Sequence, residues 1–311
     1  MNRASVLASL ASLAALGAQP ARAQTRDKLR VAFPTLDSTS EVMYAADMGF
    51  FEKAGLDVEL MPLVNGAAIA AGVASGAIDI GLGNTLTVIT AYRKGLPFTI
   101  VAPAAMNVNG APSNVLLVAK SSPIQSAKDV NGKTVGVSPL RAIGEVAISQ
   151  WADKNGGDAS TIKYIEVPFS QAEAMLTSGR ADAAFSSEPF ITQARATTRV
   201  LANPFAVIGE NWLITAFFAA RPWAQAHAQL VARFAAVMRE TARWANKNPD
   251  ATAPILAKYA KMDVAVVRST IRSRFAATLT PAQLQPVIDA SAKYKLLDAS
   301  FRADELIFQA T

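Results

Sequence analysis

One short pattern is written twice in this chain. "SGAIDIGLGNT" runs from Ser75 to Thr85, and "SGRADAAFSSE" runs from Ser178 to Glu188. Each copy has Ser-Gly, two residues, an Asp, a run of small and apolar residues, and a polar pair. The pair is Asn84-Thr85 in the first copy and Ser187-Glu188 in the second. Glycine just past an apolar-periodic stretch supplies the left-handed stop of a helix, so Gly76 and Gly179 are read as helix ends. The run after each Asp is short, apolar and bounded, as a buried strand is. Two units of the same design predict two similar α/β lobes. Ligands of open α/β sheets bind outside the carboxyl ends of the strands, which is where both polar pairs fall. Two lobes facing each other there enclose a cleft. Asp79 and Asp182 precede the strands and are expected to be architectural, capping nearby backbone N–H groups.

The rest of the chain fits an alternating scheme. "KLRVAFP" reads as a strand. "STSEVMYAADMGFFEKAG" reads as a helix with N-cap candidates Ser38 to Ser40, an apolar face at Val42, Ala45, Ala46, Gly49 and Phe50, and a stop at Gly55. Strands at "LDVELMPL", "PFTIVAP", "NVLLVAK" and "TIKYIEVP" alternate with helical stretches, which predicts mostly parallel sheets. From Arg221 onward the pattern is almost wholly helical. Arg233, Arg239, Glu240 and Arg243 recur on one outward face, as on a helix that packs against a lobe and not in a membrane.

Composition narrows the function classes. The first residues, "MNRASVLASLASLAALGAQPARAQ", have a basic start at Arg3, an Ala-rich apolar run and an Ala21-Arg22-Ala23 cleavage pattern. This is a secretory leader over residues 1–23, shorter and less apolar than the roughly 20 residues a membrane span needs. The chain has no cysteine, so the mature protein is expected to be periplasmic, without disulfides and without a lipid anchor. The formal net charge of +6 is well mixed along the sequence and is no footprint of nucleic-acid binding. One histidine and no cysteine exclude the common zinc sites and a Cys–His nucleophile pair. No phosphate-binding glycine motif and no G-x-S-x-G is present. His227 lies on a helical stretch far from the repeats. No cofactor and no metal are expected.

Four stretches carry a family resemblance: "VMYAADMGFFEKAGLDVEL", "AAGVASGAIDIGLGN", "GVSPLRAIGEVAISQW" and "MLTSGRADAAFSSEPF". They resemble periplasmic solute-binding proteins of ABC importers, in the group that handles nitrate, sulfonates, taurine and thiamine-pyrimidine precursors. The resemblance covers about Leu29 to Thr192 well and the helical C-terminus loosely. It implies a type II periplasmic-binding-protein fold: α/β, two lobes, a two-segment hinge and a ligand cleft between. Residues 24–112 and 211–311 are then expected to form lobe 1 and residues 113–210 lobe 2, with crossovers near Gly110–Asn114 and Ile208–Thr215. The implied partners are a small-molecule solute and an inner-membrane permease, with the protein acting as a monomer.

Candidate ligand-binding residues follow from the strand ends and that resemblance. In lobe 1 they are Ser38 and Thr39 before the first helix, Asn84 and Thr85 at the repeat, and Asn107 before the first crossover. In lobe 2 they are Ser138 and Arg141 at a helix start, Glu188 at the end of the second repeat, and Phe169. Trp212 is the aromatic candidate at the second crossover. Arg141 and Glu188 together suit a solute with an acidic end and a hydrogen-donating end: an aminosulfonate, another zwitterion or a heteroaromatic acid. Nitrate suits an ionised Glu188 badly. A periplasmic sensor module for a membrane receptor is the alternative. The resemblance also includes a pyrimidine-synthesising enzyme branch that consumes its own histidine and carries a cysteine-rich motif. This chain lacks the cysteines, and its histidine is elsewhere, so no enzymatic activity is expected.

Overall fold

The computed structural model describes residues 26–63, 66–108 and 110–309. The expected leader lies outside the described residues. Twelve strands occur among the described residues: β1 (Asp27–Phe33), β2 (Leu56–Pro62), β3 (Ile80–Asn84), β4 (Phe98–Pro103), β5 (Ala105–Met106), β6 (Asn114–Ala119), β7 (Thr134–Val137), β8 (Lys163–Glu166), β9 (Ala183–Ser187), β10 (Thr198–Ala202), β11 (Thr215–Ala220) and β12 (Arg274–Phe275). The helices are α1 (Glu41–Asp47), α2 (Phe50–Lys53), α3 (Gly66–Ser75), α4 (Thr85–Arg93), α5 (Ile143–Lys154), α6 (Ala172–Thr177), α7 (Phe190–Gln193), α8 (Arg221–Ala226), α9 (Ala228–Lys247), α10 (Pro249–Ala260), α11 (Val264–Arg268) and α12 (Gln285–Lys293).

Two five-stranded sheets result, in the orders β2-β1-β3-β11-β4 and β10-β6-β9-β7-β8. Each has a parallel centre. Val31 faces both Leu60 of β2 and Ile80 of β3, and Gly136 of β7 faces Ala184 of β9. Each also has an antiparallel strand, so the sheets are mixed and not mostly parallel. β11 runs against β3, with Phe217 opposite Leu82, and β6 runs against β9, with Leu116 opposite Phe185. The cause is the path of the chain. β6 and β11 each follow a passage from one sheet to the other, so they enter from the end where the neighbouring parallel strands finish.

The repeated pattern is realised twice with the same bonds. Gly76 and Gly179 take φ of +76° and +69°, where a side chain is strained. The Asp79 N–H donates to the Arg30 carbonyl (3.1 Å), and the Asp79 carboxylate accepts the Arg30 N–H (2.7 Å). The Asp182 N–H donates to the Thr134 carbonyl (2.9 Å), and its carboxylate accepts the Thr134 N–H (2.8 Å). Each Asp therefore pins the neighbouring parallel strand, β1 or β7, in register.

Alternation along the strands sorts the core. Leu116 and Val118 of β6 join a core shared by the two sheets, with Leu86, Ile89, Phe185, Phe205 and Trp212. Val115 and Leu117 face the other way, against Leu176 and Ile191. On the far side of the first sheet, Val31, Phe33 and Phe217 meet Val42, Phe234 and Met238. The charges Arg233, Arg239, Glu240 and Arg243 of α9 are exposed, with Val231, Phe234, Val237 and Met238 buried opposite them. The first expected helix is two short ones, because Gly49 takes φ of +67° between α1 and α2.

The sheets are also tied by polar bonds at the crossovers. Gln150 Nε2 and Lys154 Nζ of α5 both donate to the Val207 carbonyl (3.0 Å each), and Tyr294 Oη donates to Asp153 (2.9 Å). β12 pairs with β5 in the first crossover, Phe275 opposite Ala105. That pairing carries Ile271, Arg272 and Ser273 to the edge between the sheets.

Candidate functional site

The carboxyl ends of β1 and β3 in the first sheet and of β7 and β9 in the second approach each other across the crossovers. Three buried acids lie along this boundary. Asp37, in the loop after β1, is 1% exposed and accepts from Arg272 Nε at 2.7 Å and from the Ser273 N–H. Arg272 is fully engaged. It also donates to Tyr44 Oη, to Thr252 Oγ1 (3.0 Å) and to the Pro249 carbonyl (3.3 Å). Burial opposes the Arg272 charge, but Asp37 and Tyr44 outweigh it and hold the guanidinium above its ordinary value. Burial pushes the Tyr44 hydroxyl up, and the nearby Asp37 charge adds to that.

Glu188 comes to the same place from the second sheet. It is 1% exposed and follows β9 directly. Its carboxylate accepts from the Thr192 N–H (3.1 Å) and Thr192 Oγ1 (3.0 Å) in α7, and from the Ile271 N–H at 3.5 Å. Burial raises its proton affinity first; the Thr192 bonds offset part of this, and the charge of Asp37 raises it further. Glu188 thus closes the first turn of α7 and also touches the segment that carries Arg272.

The third acid is Glu41, in the first turn of α1. It is 0% exposed. Neither carboxyl oxygen has a hydrogen-bond partner among the described residues. Burial alone raises its proton affinity well above the carboxylate range.

The other expected residues divide into two groups. Several turn inward on the crossovers. Thr85 Oγ1 donates to the Leu213 carbonyl (2.8 Å), the Ser38 carbonyl accepts from Thr215 Oγ1 (2.8 Å), and the buried Asn107 donates its N–H to the Trp212 carbonyl (2.8 Å). The Thr39 hydroxyl stays within its own loop, bonded to the Pro34 carbonyl. Asn84 caps α4, accepting the Leu86 N–H at 3.0 Å. Trp212 is not an aromatic wall. It is 0% exposed, its indole N–H donates to the Phe205 carbonyl (3.3 Å), and its ring packs edge-on against Phe205 at 4.8 Å. It belongs to the shared core because its neighbours Leu213 and Ile214 draw the whole crossover inward.

The second group lies in the loops that follow β7 and β8 of the second sheet. Phe169 is half-buried, with its ring 6.5 Å from Phe185. Ser138 is half-buried, and Arg141 is exposed. Arg141 takes φ of +56°, and its N–H donates to Glu145 at 2.8 Å, which turns the loop into α5. Ser138 and Arg141 follow β7, and Glu188 follows β9, its parallel neighbour in the second sheet. Sequence reasoning missed Asp37, Glu41, Tyr44 and Arg272. Asp37 and Glu41 flank the Ser38–Ser40 cap signal and were within reach. Arg272 sits in a stretch with no motif and reaches Asp37 only through the tertiary fold.

A pocket of about 180 Å³ opens beside Glu188, lined also by Val115, Ile191, Arg195, Val200 and Ile271. It lies where the outer face of the second sheet meets the segment from the first.

Two mixed α/β sheets, joined by two crossovers with their strand ends facing, define the type II periplasmic-binding-protein fold. The periplasmic aliphatic sulphonate binding protein of Escherichia coli aligns with a TM-score of 0.74 and 18% identity, over 92% of this chain and 93% of its own. The periplasmic nitrate-binding protein of Synechocystis PCC 6803 aligns with a TM-score of 0.76 and 15% identity, over 90% and 84%. The family model described as NMT1/THI5 like matches residues 38–252, and the chain belongs to that family. Among curated proteins, the formylaminopyrimidine-binding protein of Halalkalibacterium halodurans is 32% identical over 139 residues, 45% of this chain and 40% of that protein. A 4-amino-5-hydroxymethyl-2-methylpyrimidine phosphate synthase of Schizosaccharomyces pombe is 24% identical over 135 residues, 43% of this chain and 37% of that protein. The match thus spans well under two thirds of these relatives' length.

Proposed function

We propose that this is a periplasmic solute-binding protein that delivers a small nitrogen heterocycle, of aminopyrimidine type, to an ABC import permease. The observation that carries the solute class is the set of acids buried at the boundary. Asp37, Glu41 and Glu188 are all buried there, and the half-buried guanidinium of Arg272 is engaged by Asp37, Tyr44 and Thr252. A sulfonate or nitrate needs donors and positive charge, whereas the Arg272 donors are taken and Glu41 holds acceptor oxygens with no partner among the described residues. An aminopyrimidine presents N–H donors, which acids take. The name of the 32%-identical relative points to the same chemistry. An anionic end read by Arg141 is not part of the proposal.

Binding and not synthesis is the activity favoured. His227 is the chain's one histidine. It is exposed at the junction of α8 and α9, and its ring stacks on Trp223 at 4.7 Å, far in the fold from the three acids. The crossovers, 104–113 and 203–214, are the proposed hinge, and closure about them would enclose the solute. The leader expected at residues 1–23 supports a periplasmic location, and a monomer is the proposed functional state. Titration calorimetry with formylaminopyrimidine, taurine and nitrate tests the reading. Saturable one-to-one binding of the pyrimidine alone is expected. Binding of taurine or nitrate alone would overturn the solute class.

A further inference from the structure

The geometry points to Glu41 as a ligand contact: its carboxyl group takes a hydrogen-bond-donating nitrogen of the solute. This rests on the solute-binding reading above and adds a residue that no motif in the chain announces.

Buried polar groups in folded proteins are hydrogen-bonded, and an exception calls for a cause. The neighbouring acids obey the rule. Asp37 has Arg272 and the Ser273 N–H, and Glu188 has Thr192 and the Ile271 N–H. Glu41 is as deeply buried as either, and both its oxygens are unpartnered among the described residues. A carboxyl with no role there is replaceable by an apolar side chain of similar volume at a gain in stability. Its place is informative as well. Glu41 opens α1 at the carboxyl end of β1, an inner strand of the first sheet, two residues after Thr39. Glu188 reaches the same edge from the second sheet, near enough for the charge of Asp37 to act on it. A second unpartnered group sits at this edge. The Ser273 hydroxyl is buried without a partner among the described residues, although its own backbone N–H is bonded to Asp37. A solute bearing an N–H group supplies the donor that the carboxyl lacks, and a ring nitrogen beside an amino group suits the Ser273 hydroxyl.

The test is calorimetric titration of the whole chain and of Glu41→Gln and Glu41→Met with formylaminopyrimidine, 4-aminopyrimidine, taurine and nitrate. Cooperative melting checks that each variant is folded. The wild-type protein is expected to bind a pyrimidine. Glu41→Gln is expected to weaken that binding by about threefold to tenfold, the range of a hydrogen bond between neutral groups. Glu41→Met, which removes both oxygens, is expected to weaken it further while melting at or above the wild-type temperature. Pyrimidine binding at wild-type affinity in both folded variants overturns the role of Glu41 and leaves the function standing. Binding of taurine or nitrate by the wild type, unaffected by either variant, overturns the role of Glu41 together with the solute class. Variants that do not fold assign Glu41 to the architecture and overturn it as well.

Discussion

Single residues here carry opposite burdens. The half-buried Arg272 pairs with the buried Asp37, and removing the guanidinium leaves a buried charge uncompensated, at a cost toward the low end of the ~3–5 kcal/mol typical of fully buried pairs. Arg272→Met should therefore lower stability in urea denaturation by that order, and Asp37→Asn together with Arg272→Met should recover part of the loss. Glu41 and Glu188 bear on pH. Both carboxyls bind their proton more tightly folded than unfolded, because burial disfavours the charge. The folded state then holds protons that the unfolded chain has released, so stability is highest below the ordinary value of 4.5 and declines as pH rises through the folded values. Denaturation midpoints measured from pH 4 upward should fall for the wild type and fall less for Glu41→Gln. An identical pH slope in both would mean that Glu41 is not buried as described. This residue-level chemistry was only partly legible. The acids beside Ser38–Ser40 stood in plain view, but their burial is a property of three segments meeting, and no local pattern encodes that.

At the scale of elements, the repeated Ser-Gly-x-x-Asp is the most legible feature of the chain. Gly76 and Gly179 end helices, and Asp79 and Asp182 each hold a neighbouring strand through paired bonds. Asp182→Ala removes the acceptor for the Thr134 N–H and should cost about 1–2 kcal/mol of stability with solute affinity unchanged. Lost affinity at full stability would make the repeat functional instead of architectural. Glu188→Ala frees the Thr192 donors at the start of α7, so thermal melting should show destabilisation of similar size. Arg141→Ala, on an exposed loop, should change neither melting nor affinity. What the sequence hid at this scale was strand direction. β6 reads as an ordinary strand and β11 carries no turn signal of its own, and only their place after a crossover makes them antiparallel. The segment that becomes β12 has two residues and no signal of its own, yet its pairing with β5 delivers Arg272 to Asp37.

At the scale of the molecule, the lobed α/β architecture was legible because helix and strand periods alternate and the repeat marks both halves. The solute was not, since it depends on which side chains meet across the crossovers. The central claim is that this meeting place binds a donor-rich nitrogen heterocycle. The most direct measurement is the thermal melting of the protein with formylaminopyrimidine, taurine, an alkanesulfonate and nitrate, each added separately. A ligand that binds only the folded state stabilises by about 2.7 kcal/mol at a hundredfold excess over its dissociation constant. A rise of several degrees with the pyrimidine and none with the anions is the predicted result. A rise with an anion and none with the pyrimidine would contradict the account.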